Sequence, residues 1–265
     1  MMEKVTINTL KEMKKAGEKI ASLTAYDANF ARILDEARVD IILVGDSLGM
    51  VLQGEATTLK VSMNDMIYHT RLVKRGCQRA MIVADMPFMS YATPAQALGN
   101  AARLVSEGGA EVIKLEGGSV VADTVRHLNE YGIPVCAHLG LTPQSIHKFG
   151  GYHVQGREQK TATQIMNDAE LLEEAGAVML VLECIPQQLA ADITKKMTIP
   201  VIGIGAGSKC DGQVLVLYDI LGITERQPRF SKNFLESATS VKAAIENYIT
   251  AVKSVHFPTA DHQFD

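Results

Sequence analysis

Glu107-Gly-Gly-Ala-Glu-Val-Ile-Lys-Leu-Glu116 and Glu174-Ala-Gly-Ala-Val-Met-Leu-Val-Leu-Glu183 are near copies of one another. In each, a glycine able to end a helix, Gly108 or Gly176, leads into an apolar run that stops at a glutamate. The likeness continues downstream: Ile133-Pro-Val135 and Ile199-Pro-Val201 open two further apolar runs, and the offsets (183 − 116 = 67 and 199 − 133 = 66) nearly agree. Self-similarity at a fixed spacing marks a repeated supersecondary unit, here strand and helix with an acid at the strand's end. Parallel α/β folds place their chemistry at the carboxyl ends of strands, so the repeat points to an architecture and a site together.

Working outward, eight short apolar runs can be marked, at 20–24, 41–44, 81–84, 112–115, 135–138, 179–182, 201–204 and 214–217. Most are too short for helices and too continuously apolar for half-exposed strands, which suits strands covered on both faces. Helix signals lie between them. Thr93, Pro94 and Gln96 form a capping sequence, Ser62 with Asp65 a similar one, and Ser119 a weaker one. Gly76, Gly108, Gly132 and Gly176 are the expected stops, and Pro134 and Pro200 keep helices from running into strands. Residues 1–19 read as a basic amphipathic helix preceding the first strand.

Strict alternation of strand and helix requires parallel strands with right-handed crossovers, in a closed barrel or an open doubly wound sheet. Acids at the ends of four runs favour closure, because a barrel gathers strand ends around one mouth. The expected fold is therefore α/β, a (βα)8 barrel formed by a single domain over 1–265 with an N-terminal helix. Residues 47–61 and 142–160 are long connections expected to lie over the mouth. Only nine residues (205–213) separate the last two runs, which leaves room for little more than one helical turn in the last crossover.

Composition narrows the partners. The chain has 265 residues, 47% hydrophobic and 21% charged, with a formal net charge of −4. That balance gives nucleic acid or an anionic membrane no basic surface to bind, and small molecules become the expected partners. Cys77, Cys136, Cys184 and Cys210 are widely spaced with no Cys-x-x-Cys pair, which argues against a zinc ribbon or dithiol motif and suits a reducing cytoplasm. The start of the sequence lacks an export-type apolar core, and no apolar run reaches the length of a membrane span.

Four runs end in acids: Asp46, Asp85, Glu116 and Glu183. Gathered in one low-dielectric mouth they would repel one another unless a cation shared the space. Lys114 sits two residues before Glu116 on the same strand, so both side chains face one way, and a lysine inside an apolar run is tolerable only where it meets an anion. Carboxylates without a His or Cys cluster suggest a hard cation such as magnesium. Asp46 and Asp85 are the expected direct ligands, with Glu116 direct or through water. Such a metal could chelate a 2-oxo acid and acidify its neighbouring C–H, leaving Glu183 as candidate general base. His138, at the end of the fifth run, is a candidate to hydrogen-bond a substrate oxygen. Gly203-Ile-Gly-Ala-Gly207 resembles a dinucleotide loop only weakly, since the third glycine of that motif would fall at Ser208.

At these residues the chain resembles the ketopantoate hydroxymethyltransferase family over nearly its whole length. The segments that carry the resemblance are Thr24-Ala-Tyr-Asp27, Val44-Gly-Asp-Ser-Leu-Gly49, Ala84-Asp-Met-Pro-Phe-Met89 with Tyr91, and Lys114-Leu-Glu-Gly-Gly118. His138-Leu-Gly-Leu-Thr-Pro-Gln144, Phe149-Gly-Gly-Tyr152, Leu182-Glu-Cys184 and Ile202-Gly-Ile-Gly-Ala-Gly207 continue it. The resemblance implies a barrel of the phosphoenolpyruvate/pyruvate-binding superfamily that moves a one-carbon unit from methylene-tetrahydrofolate to 3-methyl-2-oxobutanoate through a magnesium-stabilised enolate. It implies that Asp46 and Asp85 bind Mg2+ and Glu116 completes the metal site. Asp46, Ser47, Asp85 and Lys114 then contact the keto acid, and Glu183 is the proton acceptor. It further implies a cytoplasmic homo-oligomer, a decamer of two pentamers. Departures fall at 119–121 and 224–229, which bear on folate contacts and assembly rather than on chemistry. The alternative is another lyase or mutase of that superfamily acting on a C–C or C–P bond of a 2-oxo acid. The Lys-Lys-Cys-Gly-His loop of isocitrate lyase-type enzymes is absent, and Lys209-Cys210-Asp211 does not replace it.

Overall fold

In the computed structural model, which describes residues 3–265, eight parallel strands close into a barrel in sequence order. The chain runs α1 Ile7–Ala16, β1 Ile20–Thr24, α2 Ala28–Glu36, β2 Ile41–Val44, α3 Leu48–Val51, α4 Met63–Gly76, β3 Met81–Asp85 and α5 Pro94–Arg103. It continues β4 Val112–Glu116, α6 Ala122–Glu130, β5 Val135–Gly140, α7 Ile146–Phe149, α8 Gln159–Glu174, β6 Met179–Glu183 and α9 Gln187–Lys196. β7 Val201–Ile204, β8 Gly212–Leu215, α10 Leu217–Ile220 and α11 Val241–Lys253 complete it. Among the described residues no helix is long and apolar enough to cross a membrane.

The duplicated unit is real at the level of hydrogen bonds. Ile113 N–H bonds Pro134 O in one copy and Leu180 N–H bonds Pro200 O in the other, so the two prolines hold the same place beside β4 and β6. The helix stop differs by one residue from the expectation. Leu104–Gly108 forms a π-type turn that absorbs an extra residue, and Gly109 (φ 83°) rather than Gly108 turns the chain, matching Gly176 (φ 101°) in the second copy. Gly76 likewise ends α4 without a left-handed turn, as its place inside the helix shows.

The caps explain where helices begin. Ser62 and Asp65 form a full capping box, and Thr93 accepts the Gln96 N–H, although Gln96 Oε1 reaches one residue further back, to Ala92 N–H. The N-terminal helix is shorter than 1–19, bounded by a Thr6–Thr9 capping box and by Gly17, with Leu10 and Met13 buried. Residues 1–2 of that expectation lie outside the described residues.

Side chains from all eight strands fill the barrel. Leu43, Val83, Cys136, Val181 and Val214 are among those that surround a residual cavity of about 10 Å³, with Lys114 the one charged group there. The eighth strand begins two residues earlier than expected. Gly212 pairs with both Ile20 and Ile202, and a Cβ at that position would strike the Ile20 carbonyl, so glycine allows β1, β7 and β8 to meet. The run at 214–217 read only the apolar second half of this strand, and Leu217 already starts α10. Residues 205–211 cross from β7 to β8 without a helix. Tyr248 of α11 closes the seam from outside, its fully buried hydroxyl 2.9 Å from Ser22 O and 3.1 Å from Gln213 O.

Candidate active site

The strand ends deliver the expected acids to one mouth. Asp85 and Lys114 are register partners across β3 and β4, Glu116 and His138 across β4 and β5, and Glu183 lies beside Gly140 across β5 and β6. Asp46 follows β2 by two residues, and its N–H bonds Asp85 Oδ2 at 3.1 Å. A Cβ at Gly45 would crowd Ser47 Oγ at 2.7 Å, so glycine here leaves that hydroxyl its place beside Asp46. After Glu183 the backbone of Cys184 takes φ 46°, a left-handed conformation unusual for a residue with a side chain. Leu141 N–H on Glu183 O (2.8 Å) and Cys184 N–H on Ile204 O (2.9 Å) hold it there. Strained backbone of this kind is sustained by its surroundings and often aims a functional side chain.

Two cations sit among the four carboxylates. Lys114 Nζ lies 2.7 Å from Asp85 Oδ1, both groups almost fully buried. Burial works to lower the Lys114 pKa, but the charges of Asp85, Glu116 and Asp46 outweigh it and raise the ammonium above its usual range. His138 stands between two glutamates, Nδ1 3.5 Å from Glu116 Oε1 and Nε2 3.3 Å from Glu183 Oε2. Neither nitrogen meets full hydrogen-bond geometry, though each faces a carboxylate oxygen. Burial and Lys114 oppose the imidazolium, yet contacts with the two carboxylates carry His138 up to about 9. His138 thus stands between the two glutamates of the repeated unit.

Four carboxylates against two cations leave a deficit of two positive charges when all are ionised. Asp46 registers it: burial, then the like charges of Asp85 and Glu116, push its carboxyl well above the ordinary range, with Lys114 and Gln144 offsetting only part. A divalent ion accepting hard oxygen donors fits this surplus. Among the described residues no three His, Cys, Asp or Glu side chains already form a metal cage. Asp85 is engaged by Lys114 and by Asp46 N–H, and Glu116 Oε2 by Gln144 N–H at 2.9 Å. Magnesium keeps several waters and takes one or two protein carboxylates, so a three-carboxylate cage is not a requirement.

Three residues at the mouth escaped the reading of the sequence as site residues. Gln144 bonds Asp46 and Met86, Tyr91 bonds Gln144, and Tyr26 pairs its hydroxyl with Ser47 Oγ at 2.8 Å. All are uncharged, so nothing about their titration singled them out. Gln144 had one available signal: it follows Thr142-Pro143 just past a strand end, where a turn opens with free N–H groups. Both long connections do reach over the mouth. Tyr152 from 142–160 places its hydroxyl 3.6 Å from Met50 Sδ of 47–61. Burial first, then the charges of Glu183, Asp46 and Glu116, raise the Tyr152 hydroxyl pKa, as befits a group above the acids. The four cysteines are free and buried.

Residues 4–260 match the family model described as ketopantoate hydroxymethyltransferase. The 3-methyl-2-oxobutanoate hydroxymethyltransferase of Nitrosococcus oceani is 58% identical over 97% of this chain and 98% of its own length. That of Alteromonas mediterranea is 54% identical over 99% and 100%. Among solved structures, phosphonopyruvate hydrolase in complex with oxalate and Mg++ matches with a TM-score of 0.61 at 12% identity over 81% of each chain. 2,3-dimethylmalate lyase, of the PEP mutase/isocitrate lyase superfamily, matches with a TM-score of 0.57 at 16% identity over 81% of each chain. At such identities these structures speak for the fold.

Proposed function

The chain belongs to the ketopantoate hydroxymethyltransferase family, and from that premise we propose that it transfers a hydroxymethyl group from methylene-tetrahydrofolate to 3-methyl-2-oxobutanoate, giving 2-dehydropantoate for pantothenate synthesis. The observation that carries the chemistry is the surplus of acid at the mouth, with Glu183 standing apart from Lys114 and Asp85 and facing His138. Asp46 and Asp85 are the residues that would hold Mg2+, with Glu116 completing the site through water or directly. When bound, the ion would polarise the keto acid's oxygens and acidify its C3–H.

The protein's own side chains do the rest. Lys114, held by Asp85, and Ser47, held by Tyr26, orient the keto acid's oxygens. The Glu183 carboxylate accepts the C3 proton, and His138, beside it, keeps the protonated and ionised forms of that carboxyl in one position. The electron pair left on C3 forms a bond to the folate-borne methylene carbon, both of that carbon's bonds to folate nitrogen break, one water supplies the hydroxyl of the product, and tetrahydrofolate leaves with the C3 proton and the second water proton on its two nitrogens. Tyr152 and Met50 narrow the opening above the acids. The whole chain acts as one catalytic unit, in the cytoplasm, in a homo-oligomer of ten copies.

Relatives with 53–58% identity over nearly their full length favour this reaction over a lyase or mutase of the same superfamily. The test is exchange of the C3 proton of 3-methyl-2-oxobutanoate in D2O, followed by NMR with no folate present. Exchange that needs Mg2+ and stops with chelator supports the proposal. Exchange indifferent to chelator, or none in an enzyme that instead cleaves a 2-oxo acid, would overturn it.

A further inference from the structure

Gln144 is buried at the mouth with 6% exposure, and both ends of its side-chain amide are hydrogen-bonded. Its Nε2 donates to Asp46 Oδ2 and to Met86 O, each at 2.9 Å. A carboxylate and a carbonyl can only accept, so the NH2 must face them and Oε1 must point away. Oε1 meets the Tyr91 hydroxyl at 2.5 Å, a short O–H···O bond. With its proton given to Gln144, the Tyr91 oxygen accepts from Glu116 N–H at 3.3 Å. The Gln144 backbone N–H closes the circuit on Glu116 Oε2 at 2.9 Å.

Asp46 is thereby fixed from two sides. Its N–H is held by Asp85 Oδ2, its Oδ2 by Gln144, and among the described residues no donor bonds Oδ1. We propose that Gln144, held in one amide orientation by Tyr91, is a positioning residue for Asp46: it occupies Oδ2 so that the carboxylate presents Oδ1 alone to a divalent cation. The inference rests on the reading of the mouth as a metal site and assigns a task to residues which that reading does not use. Tyr91 reaches Asp46 through Gln144, while also accepting from Glu116 N–H, and without its hydroxyl the amide keeps only its Asp46 and Met86 partners and holds Asp46 less firmly. Partners that orient a metal ligand commonly govern affinity as much as geometry.

The test is titration of Mn2+ into the full-length, substrate-free protein, with free Mn2+ read by electron paramagnetic resonance and folding by thermal melting. Tyr91→Phe should weaken Mn2+ binding by about tenfold and Gln144→Leu by up to about a hundredfold, at little change in melting temperature. The double variant should bind no worse than Gln144→Leu, because the two residues act in series. Tyr91→Phe binding Mn2+ with wild-type affinity, or additive losses in the double variant, would overturn the proposal. Should Gln144→Leu fail to fold, Tyr91→Phe, which deletes a single oxygen, still decides. Wild-type protein that binds no Mn2+ would refute the metal reading itself and this inference with it, an outcome distinct from a normal wild type with an unaffected Tyr91→Phe.

Discussion

At the floor of the barrel Asp35 and Asp40 are as deeply buried as Asp46 and Asp85 are at its mouth. Around the floor acids, donors are plentiful. Asp35 accepts from the N–H groups of Gln78, Arg79 and Ala80 at 2.7–3.1 Å and from Cys77 Sγ. Asp40 accepts from Ala21 N–H, Arg79 and Lys253. Burial would raise the Asp35 carboxyl, but the three backbone donors outweigh it and hold the group below its ordinary value. At the mouth, burial and neighbouring carboxylates drive Asp46 the other way. Residue type and depth are the same at both ends. What separates a structural carboxylate from one poised for chemistry is whether the protein supplies its counter-charge or leaves that to a ligand.

The sharpest break would come at Glu183. Replacing Glu183→Gln keeps shape and removes the base, so C3 proton exchange should fall by about a hundred- to ten-thousandfold while Mn2+ binding persists. An exchange rate near wild type would move the base elsewhere in the mouth.

Next in size is an exchange of ends. Asp35→Asn puts an NH2 where two of the three backbone donors point, and urea unfolding should show a loss of about 1–3 kcal/mol. Asp46→Asn, in metal-free protein, removes a repelled charge and should leave stability unchanged or improved. Equal losses at both positions would erase the distinction.

Acid sharpens the contrast further. Because the folded Asp35 titrates below its unfolded value of 3.8, its contribution is complete above 3.8 and disappears as pH falls through the lower folded value. The melting gap between wild type and Asp35→Asn should therefore be constant toward neutrality and close below 3.8. A gap that widened in acid would mean that Asp35 is not stabilised as its ion.

The smallest effect belongs to the seam. Tyr248→Phe removes the hydroxyl shared by Ser22 O and Gln213 O and should cost about 1 kcal/mol in the same unfolding assay, with exchange chemistry untouched.

Much of this was legible beforehand because parallel strands write themselves plainly. The 107–116 and 174–183 copies carry strand, turn and terminal acid in one short string, so β4, β6, Glu116 and Glu183 could be placed together. Lys114 was readable from alternation alone. Harder features were those in which a residue's task depends on a distant neighbour. Gly212 and Gln213 open β8 without an apolar signature, since the first is chosen for its lack of a side chain between β1 and β7 and the second bonds Gly207 O. Gln144 and Tyr91 are neutral and far from one another in sequence, and only closure of the barrel joins them to Asp46. The π-type turn at 104–108 shifted one helix stop by a residue, a change that no glycine count reveals.

The helix-free passage from β7 to β8 has a practical consequence for anyone redesigning this barrel. Elsewhere a crossover helix can take up slack when residues are added or deleted. Between Ile204 and Gly212 there is no such reserve, and side chains along a strand alternate sides at every step. One extra residue that slid β8 would exchange its inner and outer sets and move Gly212 out of the gap that only it fits. Library diversity, grafted loops and permutation sites belong at other connections.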